Sequence, residues 1–174
     1  MTFLLRGEEI SIRNSRPEDQ KTVEELVRDT NCSLMALGGH PERIHVYHPR
    51  EELFPATIEE NKHYRLIIEN QEGVVMGYIA FKLASQAYRR AELSYFVADK
   101  FKGHGYATKA LNLMVAYAFK ELKIRRLFLE IAEKNLPSLR VAEKAGFVKE
   151  GLMKDYKNFG QKWQNYWLMA QISE

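Results

Sequence analysis

Ser94-Tyr-Phe-Val-Ala-Asp-Lys-Phe-Lys-Gly-His-Gly-Tyr-Ala-Thr-Lys-Ala-Leu-Asn-Leu113 runs from an apolar, β-rich segment through a turn and two glycines one residue apart into an amphipathic helix. Two glycines at the mouth of a helix let the backbone approach an anion without intervening Cβ atoms, and the unpaired N–H groups of the first turn point at that anion. Lys100, Lys102 and Lys109 surround the glycines, with Asp99 opposing them in this stretch. A cation at a helix N-terminus is repelled by the helix dipole, and an anionic ligand removes the conflict. The stretch reads as a phosphate cradle.

The chain has 174 residues, which suits one domain over 1–174 with a core that needs no staples. A single cysteine, Cys32, cannot form an internal disulfide and gives no thiol metal site. No apolar run reaches membrane-spanning length, and Met-Thr-Phe-Leu-Leu-Arg at the start is too short for a signal peptide, so a cytoplasmic protein without membrane contact is expected. The net charge of +3 comes from 26 Lys and Arg against 23 Asp and Glu, too even a balance to imply nucleic acid.

Ile10–Asn14 alternates as a first strand. Ser15-Arg-Pro-Glu18 is a capping-box pattern, and Val23, Leu26 and Val27 give the apolar stripe of a helix reaching about Thr30. A short helix is read over Asn31–Leu37, a long loop over Gly38–Pro55 where the acceptor is met, and a helical turn over Thr57–Asn61. Strands follow at Tyr64–Glu69, Val74–Leu83 and Ala91–Val97, and Gly77 inside the second marks a bulge or a close approach. The cradle helix spans about Gly105–Leu122. Beyond it come a strand at Arg126–Ile131, a helix at Leu136–Ala145 with Asn135 as N-cap, and a hairpin of Phe147–Tyr156 with Gln164–Ile172 across Asn158-Phe-Gly160. The fold class is α/β (α+β), with one mixed sheet.

Together these motifs resemble the GNAT superfamily of N-acetyltransferases, in its branch of ribosomal-protein N-terminal and spermidine acetyltransferase-like enzymes. Lys102-Gly-His-Gly-Tyr-Ala107 is similar to the family's pyrophosphate loop, with lysine where glutamine or arginine is usual. Asn135-Leu-Pro-Ser138 followed by Glu143-Lys-Ala-Gly-Phe147 matches a second motif, and Ala91-Glu-Leu-Ser-Tyr95 a third. A rival resemblance, Gly103-x-Gly105-x-x-Thr108 as a dinucleotide fingerprint with an acid near Glu130, has Thr108 in place of a third small residue and lies behind about 90 residues of other elements.

The resemblance implies a mostly antiparallel sheet with splayed central strands, flanked by helices, and acetyl-CoA as co-substrate with no metal. Backbone at Lys102, Gly103, His104, Gly105, Tyr106, Ala107 and Thr108 would hold the pyrophosphate, and the side chains of His104 and Tyr106 would be incidental. Groups at Phe96 and Val97 would bind the pantetheine arm where strand 92–98 parts from the strand starting near Arg126. Asn135 would contact the cofactor, and Ser138 would help the thiolate leave, because Ala142 stands where many members carry a tyrosine.

Amide formation also needs a proton acceptor near the amine. Glu92 is the candidate, on a face shared with Ser94 and Phe96; pairing with Arg89 or Arg90 is its plainer reading, and Glu51, Glu52, Glu59 and Glu130 are the alternatives. His40, His45 and His48 read as loop histidines, Cys32 as a buried thiol, and Trp163, Tyr166 and Trp167 as core or acceptor-cleft wall. The expected partner is an amine acceptor, a small molecule or a protein N-terminus, and a homodimer is left open. The reading from another class is a CoA-binding sensor whose chemistry has lapsed.

Overall fold

The computed structural model describes residues 3–29, 54, 58–159 and 162–174. Its strands are β1 (Leu4–Arg6), β2 (Ile10–Asn14), β3 (His63–Asn70), β4 (Val75–Ser85), β5 (Arg90–Val97), β6 (Arg126–Ala132), β7 (Val148–Phe159) and β8 (Lys162–Ile172). The helices are α1 (Pro17–Arg28), α2 (Tyr106–Lys120) and α3 (Leu136–Lys144), with a 3₁₀ turn at Asp99–Phe101. The strands form one sheet in the order β1-β2-β3-β4-β5-β6-β8-β7. Among these neighbours β5 and β6 run parallel, and every other pair is antiparallel.

Strand periodicity sorts the side chains onto two faces. Ala91, Leu93 and Val97 of β5 join Leu127, Leu129 and Ile131 of β6 beneath Leu111 and Met114 of α2 and Leu139 of α3. On the other face Tyr78 and Phe96 pack with Val23, Leu26 and Val27, the stripe read from the sequence on α1.

Several local expectations need correction. An unforeseen three-residue strand, β1, pairs Leu4 with Arg13. The N-cap of α1 is Arg16, not Ser15, and its N–H donates to Asp19 Oδ2 at 2.6 Å. The helical turn near Asn61 is absent over residues 58–61, where Glu60 bridges to Leu83 and Asn61 has φ 63°. Asn158 belongs to β7, paired with Trp163, so the hairpin is longer than its turn signal suggested. Asn31–Leu37 and most of the loop that follows, including Cys32, His40, His45, His48, Glu51 and Glu52, lie outside the described residues.

The N-terminus of α1 is tied to the sheet by a buried ion network. Arg13, 5% exposed, donates from Nη1 and Nη2 to the Asp19 carboxylate at 2.7 and 2.9 Å and from Nε to Glu69 at 2.6 Å; Asp19 is 2% exposed. The bond to Asp19 is the main reason that the guanidinium is held still further above its ordinary range. Replacing Asp19→Asn keeps an acceptor but leaves the buried cation facing a neutral amide, and a loss of about 2 kcal/mol is expected. Urea unfolding should show a lower midpoint with an unchanged slope.

Candidate active site

The site follows from how briefly β5 and β6 stay together. They pair at Arg90↔Arg126, Ala91↔Leu127 and Glu92↔Phe128, and no further pair links them. Beyond that point β5 continues along β4 to Val97↔Gly77, and β6 continues along β8 to Ala132↔Tyr166. The strands splay, as expected, and among the described residues leave one edge of each without a neighbouring strand. A cavity of about 200 Å³ lies at the opening. Phe96 and Val97 line it from β5, Lys102, Gly103, Gly105, Tyr106 and Ala107 from the cradle, and Asn135 and Ser138 from the start of α3. Thus nine of the residues singled out in the sequence come together. His104, Thr108 and Glu92 do not line this cavity.

The cradle has the backbone that its glycines allow. Gly105 caps α2 at φ 77° and Gly103 has φ 86°, both left-handed values that other residues adopt only under strain. A Cβ at either position would meet nothing within 4 Å, so it is this conformation, not lack of space, that calls for glycine. The lysine excess is partly offset by ion pairs that sequence proximity did not reveal in full. Lys102 pairs with Asp99, and Lys109 with the distant Glu9 at 2.5 Å. Of the two side chains read as incidental to cofactor binding, Tyr106 lines the cavity, and the His104 ring stacks on it at 5.4 Å with Nδ1 3.0 Å from the Lys102 carbonyl.

Asn135 caps α3 as predicted, its Oδ1 accepting the Ser138 N–H at 3.2 Å. A residue to which the sequence reading gave no role completes this corner. The Tyr95 hydroxyl donates to the Ser138 carbonyl at 2.9 Å and lies 2.9 Å from Ser138 Oγ. Burial pushes the phenol up to about 12, against the pull of its bond to Ser138, so Tyr95 remains protonated at neutral pH. Period-2 counting could have placed Tyr95 on the face opposite Glu92, but a contact spanning 43 residues has no local signal. Ala142, the position that lacks the tyrosine, is fully buried in the core.

The other face carries the acids. Glu92 shares it with Phe96, as read, and its partner is Lys82 of β4 at 3.7 Å, not an arginine. Burial, followed by the nearby Glu130 charge, raises its carboxyl above the ordinary range, opposed by Lys82 and Lys157. Glu130, beyond the last β5–β6 pair, accepts from Tyr156 Oη at 2.8 Å and pairs with Lys157 Nζ at 2.7 Å. It does not line the glycine cavity, which removes the acid that a dinucleotide fingerprint would need there. Glu59 is exposed and paired with Lys62 at 3.3 Å. Tyr166 is buried and Trp167 packs against the core, whereas Trp163, 61% exposed, lies outside it. No group of three or more metal-ligating side chains occurs among the described residues, and no helix among them is long and apolar enough to cross a membrane.

A family model described as an acetyltransferase (GNAT) domain matches residues 10–148. The chain belongs to the GNAT family and is an acetyltransferase. Among its relatives, "Probable N-acetyltransferase YjcK" of Bacillus subtilis (strain 168) is 31% identical over 135 residues, 78% of this chain and 72% of its own length. The spermidine N(1)-acetyltransferase of Escherichia coli (strain K12) is 27% identical over 153 residues, 87% of this chain and 80% of its own. In fold the chain is similar to RimL, a ribosomal L7/L12 α-N-protein acetyltransferase solved with coenzyme A, with TM-score 0.80, 17% identity and 98% of each chain covered.

Proposed function

We propose that the chain, as one domain over 1–174, uses acetyl-CoA to acetylate a primary amine by direct attack in a ternary complex. The observation that carries this reading is the opening between β5 and β6, with a glycine cradle and a hydroxyl pair on one side and a carboxylate on the opposite face. The cradle amides and Lys102 would bind the pyrophosphate, with Asn135 beside the cofactor. The free edge at Phe96 and Val97 would pair with the pantetheine amides, because backbone groups lacking a partner strand take a ligand in its place.

Chemistry then needs few groups. The neutral amine attacks the thioester carbon, and its carbonyl oxygen takes the electron pair, stabilised by a backbone N–H of the β5 edge. Glu92 accepts the N–H proton, directly or through water. The intermediate collapses, the C–S bond breaks, and the pair goes to sulfur beside Ser138 Oγ.

The acceptor classes that fit are polyamines, protein N-termini and other small amines, and two relatives are named for spermidine and ribosomal-protein acetylation. Glu92 and Glu130 each carry a lysine, which offsets on this face the acidic charge that a polyamine would favour. A panel of amines and N-terminal peptides, read by thiol release from acetyl-CoA, is expected to give turnover with at least one class. Tight CoA binding with no turnover on any amine would instead establish the lapsed sensor.

A further inference from the structure

We infer that Tyr95 is the positioning residue for Ser138: its phenol anchors Ser138 Oγ at the cavity, and as the serine proton turns to the cofactor sulfur the phenolic O–H turns to Oγ behind it. The inference rests on the acetyl-CoA reading above. A serine in the first turn of a helix ordinarily turns its hydroxyl to nearby backbone, as a cap or a back-bond. Here the cap is supplied by Asn135, leaving the Ser138 hydroxyl available.

Tyr95 reaches that hydroxyl from a different element, held in β5 by its pairing with Ile79, and stands 2.9 Å from Oγ. One phenolic proton faces two acceptors on the same residue, the Ser138 carbonyl and Oγ. With that proton on the carbonyl, the Ser138 O–H donates to Tyr95 Oη; with it on Oγ, the serine's own proton must turn away from Tyr95, and Ser138 lines the cavity, where the thioester would lie. As the C–S bond breaks and sulfur takes the electron pair, that O–H meets a developing thiolate in a charge-assisted hydrogen bond. Serine is a far weaker acid than a thiol, so it donates the hydrogen bond and keeps its proton. Strand β5 therefore supplies the fixed hydroxyl that α3 lacks at Ala142.

The test compares the affinities of CoA and desulfo-CoA at about pH 9, where much of the thiol is ionised. Wild type is expected to prefer CoA on the order of tenfold, the size of one charge-assisted hydrogen bond. Ser138→Ala and Tyr95→Phe should each cut the ratio to about twofold or less, and the double variant should go no lower, because two members of one unit are not additive. Loss of packing alone would weaken both ligands alike and leave the ratio unchanged. A wild-type ratio retained by Tyr95→Phe, no wild-type preference, or losses that multiply in the double variant would overturn the inference. The affinity ratio requires no turnover, so a chain inert on every amine but keeping the pattern would sink the acetyltransferase reading and leave the role of Tyr95 standing.

Discussion

Gly77→Val is expected to destabilise the protein by about 3 kcal/mol or more, lowering Tm by roughly 6–12 °C. Gly77 lies opposite Val97 in the β4–β5 pair. A Cβ there would sit 1.9 Å from the Phe96 carbonyl oxygen and 2.8 Å from its carbon. Both obstacles are backbone atoms, so no rotamer change relieves the clash, and β5 must move. The residues displaced, Phe96 and Val97, are those at the free edge of the cleft. The folded fraction of the variant is therefore also expected to bind CoA more weakly than wild type. A melting temperature within about 2 °C of wild type would show that the close approach is not real.

Glu92→Gln is expected to lower kcat/KM about a hundredfold at neutral pH, the contribution typical of a positioned general base. The pH profile separates this from a packing defect. The carboxyl of Glu92 is raised by burial and by Glu130, so the wild-type acid limb should lie above the ordinary carboxylate range. Below that limb Glu92 is protonated and cannot accept a proton, and the gap between variant and wild type should close. Stability moves the opposite way. A carboxyl whose folded pKa is raised binds its proton more tightly when folded, so its cost is absent below the unfolded value and is fully present above the folded one. Glu92→Gln should then melt slightly higher at pH 8, with no difference below about pH 4. A variant with undiminished activity, or one whose loss is the same at every pH, would remove Glu92 from the proton path.

What could be read in advance was local. The cradle, the capping asparagine and the α1 stripe rest on residues within two turns of one another, and Gly77 on the oddness of a glycine inside a β-rich run. The splay of β5 and β6 came through family resemblance, since nothing in either strand says where pairing stops. What stayed hidden were pairings across sequence distance. Glu92 was weighed against neighbouring arginines, yet the register places Lys82 directly across from it. Lys109 looked unopposed because Glu9 lies a hundred residues away. Tyr95 carried a recognisable motif but no role until α3 was set beside it. β1 was missed because three residues give too little alternation to register, and it exists because β2 offers it an edge.

The strand order has a consequence for how the protein is made. β8 lies between β6 and β7, so the edge of β6 turned away from the cleft is completed by residues 162–172. Synthesis delivers these after the cradle, the splay and both hydroxyls have left the ribosome. Until they arrive, a nascent chain holds most of its active site beside an unpaired β6, a template for adding a foreign strand. Strand β8 therefore acts as the clasp that closes the sheet behind the cleft, and until it docks β6 keeps an edge open to a foreign strand.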